Sequence, residues 1–182
     1  MLDNGESSYR RFLQGDQSAF DEIMDAYREK LIFFIMGYVG NAETAQDIAM
    51  DTFVEILVHP GRFKFKSSLK TYIYSIARHK TVDFLRRKRE LPSETEIYEP
   101  YESDLLSGVI QQENSEMLLN AMEKIPADYR NVLYLTFFEE CSNDEIAKIM
   151  HKSKKQLANL TYRAKQALKA ELEKEGFCYE EQ

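Results

Sequence analysis

Two capping-box patterns lie close together near the end of the sequence. Ser142 is followed three residues later by Glu145, and Ser153 is followed at the same spacing by Gln156. In this pattern the serine hydroxyl accepts from the amide three residues on, and the longer side chain accepts from the serine amide, so each pattern marks a helix N-terminus. The two patterns predict a short helix, a turn and a longer helix, which is either an ordinary helical hairpin or a DNA-binding helix-turn-helix.

The second of these helices is basic at its start. Lys154 and Lys155 fall in its first turn, where the helix dipole favours acids, and this placement favours an external anion. Gln156, Asn159 and Arg163 recur at three- and four-residue spacing, and these residue types can read base edges. For Tyr162, contact with a sugar or a thymine methyl group and burial in the core are equal alternatives. The predicted DNA-contacting set is Lys154, Lys155, Gln156, Asn159, Tyr162 and Arg163.

Charge is strongly segregated along the 182 residues, although the net charge is −7. Residues 62–89 hold ten Lys or Arg and one acid, and residues 148–170 hold seven and no acid. Between them, residues 90–116 hold eight acids and no base. This distribution predicts two phosphate-facing surfaces separated by a tether that DNA repels.

The fold predicted from composition and periodicity is all-α. Only seven Gly and four Pro are present, and apolar residues recur at helical spacing. The first domain, residues 1–90, should contain a helix opening at Asp16 or Ser18 and ended by Gly37 and the Gly40-Asn41 pair. A second helix should run from Ala42 to about Val58, and a third, capped by Ser67 or Ser68, to roughly Arg89. We expect residues 91–112 to be a flexible acidic linker and residues 113–182 to form the helix-turn-helix domain.

Acids recur every four residues along the second predicted helix, at Glu43, Asp47, Asp51 and Glu55. Such a ridge is either a solvated helix face or a docking face for a basic partner. The opposite face is predicted to be buried and comprises Ala45, Ile48, Ala49, Phe53, Ile56 and Leu57.

The third predicted helix interleaves aromatic and basic residues. Tyr72 and Tyr74 lie between Lys70 and Arg78, which is a pattern suited to stacking unpaired bases beside their phosphates. For each tyrosine, packing in the core is an equal alternative.

The sequence does not predict an enzyme, a metal site or a cofactor. His59, His79 and His151 are far apart, and Cys141 and Cys178 lack metal-ligand spacing. We expect a cytoplasmic protein with reduced thiols, because there is no secretory h-region and no apolar run approaching a membrane span.

The chain resembles the extracytoplasmic-function (ECF) sigma factors of bacteria along nearly its whole length. DIAMDTF at 47–53 is similar to that family's D-L-x-Q-E-x-F segment, and SLKTYIYSIA at 68–77, with Asp83 and Arg86-Arg87, is similar to its S-F-x-T-W-L-Y-x-I-A segment. The second half carries the L-P-x-x-x-R, E-I-A and R-A marks at Ile125-Pro126, Arg130, Glu145-Ile146-Ala147 and Arg163-Ala164.

The resemblance implies that the first domain binds core RNA polymerase and recognises and melts the minus-ten element, while the second recognises the minus-thirty-five element. It assigns core binding to Asp47, Met50, Asp51 and Glu55. It assigns minus-ten DNA to Lys70, Tyr72, Tyr74, Arg78, His79, Lys80, Arg86 and Arg87, and minus-thirty-five DNA to the six residues named above. An anti-sigma factor is a further partner that the family implies.

Several positions depart from the family pattern. Tyr72 replaces a Trp, Met50 replaces a Gln and His79 stands where Asn is common, while Ala158 and Leu160 stand where basic residues are frequent. The competing function is an autonomous helix-turn-helix regulator that binds duplex DNA directly, normally as a two-fold dimer. A dimerisation domain would need neither the acidic ridge nor the basic aromatic helix.

Overall fold

The computed structural model describes residues 5–90, 114–174 and 176. The described residues form eight α-helices and no strand, so the all-α prediction is confirmed. The chain divides into two compact units: the described residues up to 90 form the first, together with Lys148–Met150, and the other described residues from 114 onward form the second. The predicted linker lies outside the described residues.

Four α-helices and a short 3-10 helix make up the first unit: α1 Glu6–Leu13, α2 Ser18–Val39, α3 Ala42–Val58, the 3-10 helix Pro60–Arg62 and α4 Leu69–Glu90. The predicted starts at Ser18 and Ala42 are confirmed. Gly37, however, was wrongly predicted to end the first helix, because α2 continues through it to Val39. Gly40 ends that helix in the left-handed region, with φ of 68°, which glycine adopts without a steric penalty.

The core of the first unit lies between α2, α3 and α4, where large side chains from all three helices are fully buried. Phe34, Phe53 and Ile73 are at most 1% exposed. Asn41 accepts a hydrogen bond from the Thr44 amide at 2.8 Å and so caps α3. These helices form because one face of each can be buried against the other two.

The remaining helices are α5 Asn114–Lys124, α6 Ala127–Phe137, α7 Asn143–Met150 and α8 Lys154–Lys174, which belong to the second unit except for the last three residues of α7. The Arg130 side chain donates to the carbonyls of Met122 at 2.9 Å and Glu123 at 2.7 Å, which closes the end of α5. Leu133 and Ile146 are fully buried in this unit. In the described part of the chain, no helix has both the length and the hydrophobicity that a membrane span requires.

Candidate nucleic-acid interface

The outer face of α3 carries both acids and large apolar side chains. Asp47 and Asp51 are exposed. Met50 is 45% exposed, and Val54 and Leu57 are each 47% exposed. The prediction that Leu57 is buried was wrong, because seven residues make almost two helical turns and place Leu57 on the face of Met50.

Glu55 does not belong to this face. Its carboxylate pairs with Arg62 in the loop after α3, and its second oxygen lies 3.9 Å from the Lys80 ammonium of α4. A four-residue repeat advances by more than one turn of 3.6 residues, so the acidic row winds around the helix, and by its fourth member it has turned towards α4. The exposed acids of the ridge are therefore Glu43, Asp47 and Asp51.

Ser68 begins α4, as predicted, by accepting a hydrogen bond from the Thr71 amide at 3.2 Å. Tyr72, in the first turn, is partly exposed, and its ring centre lies 4.9 Å from that of Phe63. Partial burial raises the pKa of Tyr72 above its ordinary value. An aromatic ring that packs on Phe63 is thus partly exposed at the start of α4.

Tyr74 is fully buried and packs edge-to-face on Phe34, with ring centres 5.1 Å apart. Since it has no exposed surface, it cannot stack on a base in this conformation. Of the two tyrosines left open by the sequence, Tyr72 is on the surface and Tyr74 belongs to the core.

Further along α4, the seven-residue spacing of Tyr72, His79 and Arg86 places all three on one face. Asp83 lies between the last two, 3.6 Å from His79 Nδ1 and 3.2 Å from the Arg86 guanidinium. Arg87 is exposed beside them. The remaining predicted residues, Lys70, Arg78 and Lys80, are partly exposed.

The loop between α3 and α4 adds residues that the sequence analysis did not single out as contacts. Its segment 62–66 reads RFKFK, in which Arg62, Lys64 and Lys66 are exposed while Phe63 is buried. The alternation of basic and aromatic residues could have predicted this surface, because the cations can contact phosphates while the rings pack inward.

Both predicted capping boxes of the second unit are confirmed. The Ser142 amide donates to Glu145 at 2.9 Å and the Glu145 amide to the Ser142 hydroxyl at 3.3 Å. The Ser153 amide donates to Gln156 Oε1 at 2.9 Å and the Gln156 amide to the Ser153 hydroxyl at 3.2 Å. These caps fix the starts of α7 and α8, with a turn through His151 at φ of 50°.

The second capping box restricts what Gln156 can do. A glutamine that reads adenine uses its oxygen and its nitrogen together. Because Gln156 Oε1 already accepts the Ser153 amide, the side chain retains its NH2 group for an external contact. Asn159 and Arg163 are exposed on the same helix.

The remaining predicted residues of α8 lie at the surface. Tyr162 is 66% exposed, which removes the alternative that it is buried. Lys155 is exposed, and the Lys154 ammonium lies 2.7 Å from Asp144 of α7. Leu157 and Ala164 are buried on the opposite side and hold the helix to the unit. Among residues 5–90, 114–174 and 176, no group of three or more His, Cys, Asp or Glu could hold a metal ion.

Two family models match the chain, one in each unit. Residues 23–90 match "Sigma-70 region 2" and residues 115–168 match "Sigma-70, region 4". The RNA polymerase sigma factor YlaC of Bacillus subtilis is 30% identical over 167 residues, covering 85% of this chain and 94% of that protein. The ECF RNA polymerase sigma factor SigW of the same organism is 29% identical over 171 residues, covering 87% and 91%.

Solved structures share the fold at lower identity. The sigma factor RpoE, solved with the anti-sigma factor NepR from Bartonella quintana, has a TM-score of 0.66 at 19% identity and covers 85% of this chain and 96% of its own. CnrH, solved with the cytosolic domain of CnrY, also has a TM-score of 0.66 at 19% identity and covers 94% of this chain and 98% of its own.

These matches favour a sigma factor over an autonomous regulator. The sequence from α2 to α4, where a regulator would carry a dimerisation or sensing domain, matches the sigma region 2 model instead. The chain belongs to the extracytoplasmic-function branch of the RNA polymerase sigma factors, the initiation factors that bind core RNA polymerase and direct it to promoters.

Proposed function

We propose that the outer face of α3 is the surface through which this sigma factor binds core RNA polymerase. Asp47 and Asp51 supply negative charge beside the exposed apolar side chains of Met50, Val54 and Leu57. A solvated helix face explains the acids but not the adjoining apolar strip, whereas a contiguous exposed apolar patch with a polar border is typical of an interaction site. This combined surface is the observation that carries the proposal.

The partner's matching surface should be basic around an apolar centre. Complementary charge accelerates encounter and fixes register, while burial of the apolar centre supplies most of the affinity. Met50, where the family has Gln, replaces a hydrogen-bonding contact with an apolar one and extends the strip.

The second part of the proposal assigns the minus-ten element to α4 and the loop before it. Tyr72 presents a supported ring, and Arg62, Lys64 and Lys66 surround the start of the helix with positive charge. Stacking and backbone neutralisation together stabilise unpaired strands. Farther along α4, Lys80, Arg86 and Arg87 are suited to phosphates, and His79 lies on the face of Tyr72. Tyr74 supports the surface from within the core.

The third part assigns the minus-thirty-five element to α8. Asn159 and Arg163 read base edges in the major groove, Lys155 contacts a phosphate, and Tyr162 lies along the backbone or a thymine methyl group. Gln156 contributes mainly by fixing the helix start.

The protein acts where RNA polymerase acts, in the cytoplasm, as an initiation factor with no catalytic role of its own. We also propose that it has an anti-sigma partner, because the sigma factor RpoE, which has the same fold, was solved in complex with the anti-sigma factor NepR.

Measuring the affinity for core RNA polymerase tests the main assignment. The variant with Asp47→Lys and Asp51→Lys should bind core at least tenfold more weakly, which corresponds to about 1.4 kcal/mol. Glu29→Lys is the control, because Glu29 is an exposed acid on α2 outside this face. If the double variant binds core with unchanged affinity, the acidic ridge is a solvated helix face and does not bind core RNA polymerase.

A further inference from the structure

A single tyrosine of α1 connects the N-terminal helix to the loop between α3 and α4. Tyr9 is fully buried, and its hydroxyl donates a hydrogen bond to the Pro60 carbonyl at 2.8 Å. Its ring packs edge-to-face on Phe63, with centres 5.2 Å apart, and lies 6.1 Å from Phe65. Burial raises the pKa of Tyr9 to about 12. The Tyr9 side chain therefore contacts both ends of the segment 60–65, Pro60 through its hydroxyl and Phe65 through its ring.

The contact continues from the loop into α4. Phe63 lies between Tyr9 and Tyr72, and the rings of Phe63 and Tyr72 are 4.9 Å apart at an interplanar angle of 31°. A displacement of Tyr9 would therefore change the support under Tyr72. In a close-packed cluster, neighbouring rings cannot move independently.

The loop is held in an unfavourable backbone conformation at Phe65. Its φ is 55°, in the left-handed region that a bulky residue rarely adopts. The Phe65 ring is covered by the Arg10 guanidinium at 4.1 Å and lies 4.6 Å from Phe63. Strained residues persist where surrounding contacts over-determine them, and here Tyr9 and Arg10 of α1 supply two of those contacts.

The N-terminal helix is itself fixed to its neighbours. Arg11 pairs with Glu22 at the start of α2 and lies 3.2 Å from Asp16, and Ser8 donates to Glu22 at 2.7 Å. At Gly5, a Cβ atom would come within 3.1 Å of the Leu69 side chain at the start of α4. Helix α1 is thus anchored on one side and reaches the loop and α4 on the other.

From these contacts we infer that α1 is a positioning element for the minus-ten surface, and that Tyr9 acts through Phe63 to set the orientation of Tyr72 and of the loop 60–65. This inference rests on the proposed function of Tyr72 and its loop. Tyr9 itself touches no DNA. Its effect on promoter selection should therefore be confined to the minus-ten element.

The test is in vitro transcription by the complete holoenzyme, formed from full-length protein and core RNA polymerase. The template pool carries randomised minus-ten and minus-thirty-five elements, and sequencing of the transcribed templates gives the base preference at each position. Tyr9→Leu removes the hydrogen bond and the ring, and Tyr9→Phe removes the hydrogen bond alone. Leu13→Ala is the control on α1, because Leu13 is 43% exposed at the end of that helix.

We expect Tyr9→Leu to reduce base preference at the minus-ten element several-fold, with a smaller reduction for Tyr9→Phe. Preference at the minus-thirty-five element and affinity for core should match the wild type. A purely structural role for Tyr9 would lower total transcript without changing base preference. If Tyr9→Leu fails to fold, the conservative Tyr9→Phe variant and Arg10→Ala, which removes the cation over Phe65, give the same readout.

A minus-ten profile identical to the wild type in the folded Tyr9 variants would overturn the inference while leaving the proposed function standing. A change of equal size in Leu13→Ala would also overturn it, because the effect would then belong to α1 in general and not to the contacts of Tyr9. A wild-type holoenzyme that selects no sequence at all from the pool would overturn the proposed function and the inference together.

Discussion

The Lys154 ammonium lies 2.7 Å from a carboxylate oxygen of Asp144, so a lysine in the first turn of α8 is paired with an acid of α7. Both side chains are largely exposed, at 80% and 63%. The pair is therefore solvent-screened and easily exchanged for another partner. The anion beside Lys154 in this structure is thus an acid of the protein itself, and not the external anion that the placement of Lys154 in the helix dipole favoured.

Asp144→Asn should strengthen binding to duplex DNA, because it removes a negative charge from the DNA-facing surface and leaves Lys154 available to a phosphate. The slope of log K against log salt should steepen by about one unit, as expected for one additional neutralised phosphate. Fluorescence anisotropy with a labelled duplex at several salt concentrations measures this slope. Glu171→Gln is the control, since that carboxylate pairs with Lys174 at the far end of α8. Equal slopes in all three proteins would show that pairing with Asp144 does not keep Lys154 from a phosphate.

Leu57 and Ile56 are adjacent but should respond differently to truncation. Ile56→Ala removes a fully buried side chain of the core and should lower the free energy of unfolding by about 2–5 kcal/mol. Leu57→Ala acts on an exposed position and should change it by only about 0.5 kcal/mol, while weakening core binding. Urea denaturation measures the change in the free energy of unfolding, and a binding assay with core RNA polymerase measures the change in affinity. A large loss of stability in Leu57→Ala would place Leu57 in the core.

Substitution of Tyr72 should impair promoter melting, whereas substitution of Tyr74 should impair folding. Tyr74→Ala should destabilise the protein by about 3–5 kcal/mol, the usual cost of removing a buried aromatic ring. Tyr72→Ala should retain the fold but lose about 1–3 kcal/mol of base stacking, so fewer complexes open. Permanganate reactivity of thymines in the promoter reports opening, and thermal unfolding reports stability. Normal promoter opening by a folded Tyr72→Ala variant would show that Tyr72 does not take part in melting.

The contact of Glu22 with α1 should stabilise the protein less at low pH. The hydrogen bonds from Arg11 and Ser8 hold the pKa of Glu22 below its ordinary value. A lowered folded-state pKa contributes stability above the unfolded value, near 4.3, and that contribution is lost as the pH falls through the folded value. Glu22→Gln should therefore melt at a lower temperature than the wild type at neutral pH, and the difference should shrink as the pH falls below the unfolded pKa and vanish below the lower, folded one. Thermal melts followed by circular dichroism at neutral and acidic pH measure this difference in melting temperature, with Glu29→Gln as control. A difference that is constant with pH would contradict the linkage.

The features that the sequence predicted correctly are local ones. The capping boxes at Ser142 and Ser153 require only four consecutive residues, and the start of α3 requires only Asn41 and the amide of Thr44. Helix α1 was not predicted, because Gly5 provides no side-chain cap and the partners of Tyr9 are far along the chain.

The errors at α3 arose from treating a four-residue repeat as a straight row. The true period is 3.6 residues, so Glu55 turns towards Arg62 and Lys80 while Leu57 joins Met50 on the outer face. The choice between Tyr72 and Tyr74 could not be made from spacing. It depends on which tyrosine meets Phe34, and that contact is tertiary.

Run-off transcription with purified core RNA polymerase tests the central claim most directly. Core enzyme and full-length protein, given a promoter selected from the randomised pool, should produce a transcript of defined length, and core enzyme alone should not. The same protein without core should bind that promoter duplex weakly. Tight, specific binding of the free protein to the duplex, with no transcript when core is added, would contradict the assignment and support the autonomous regulator.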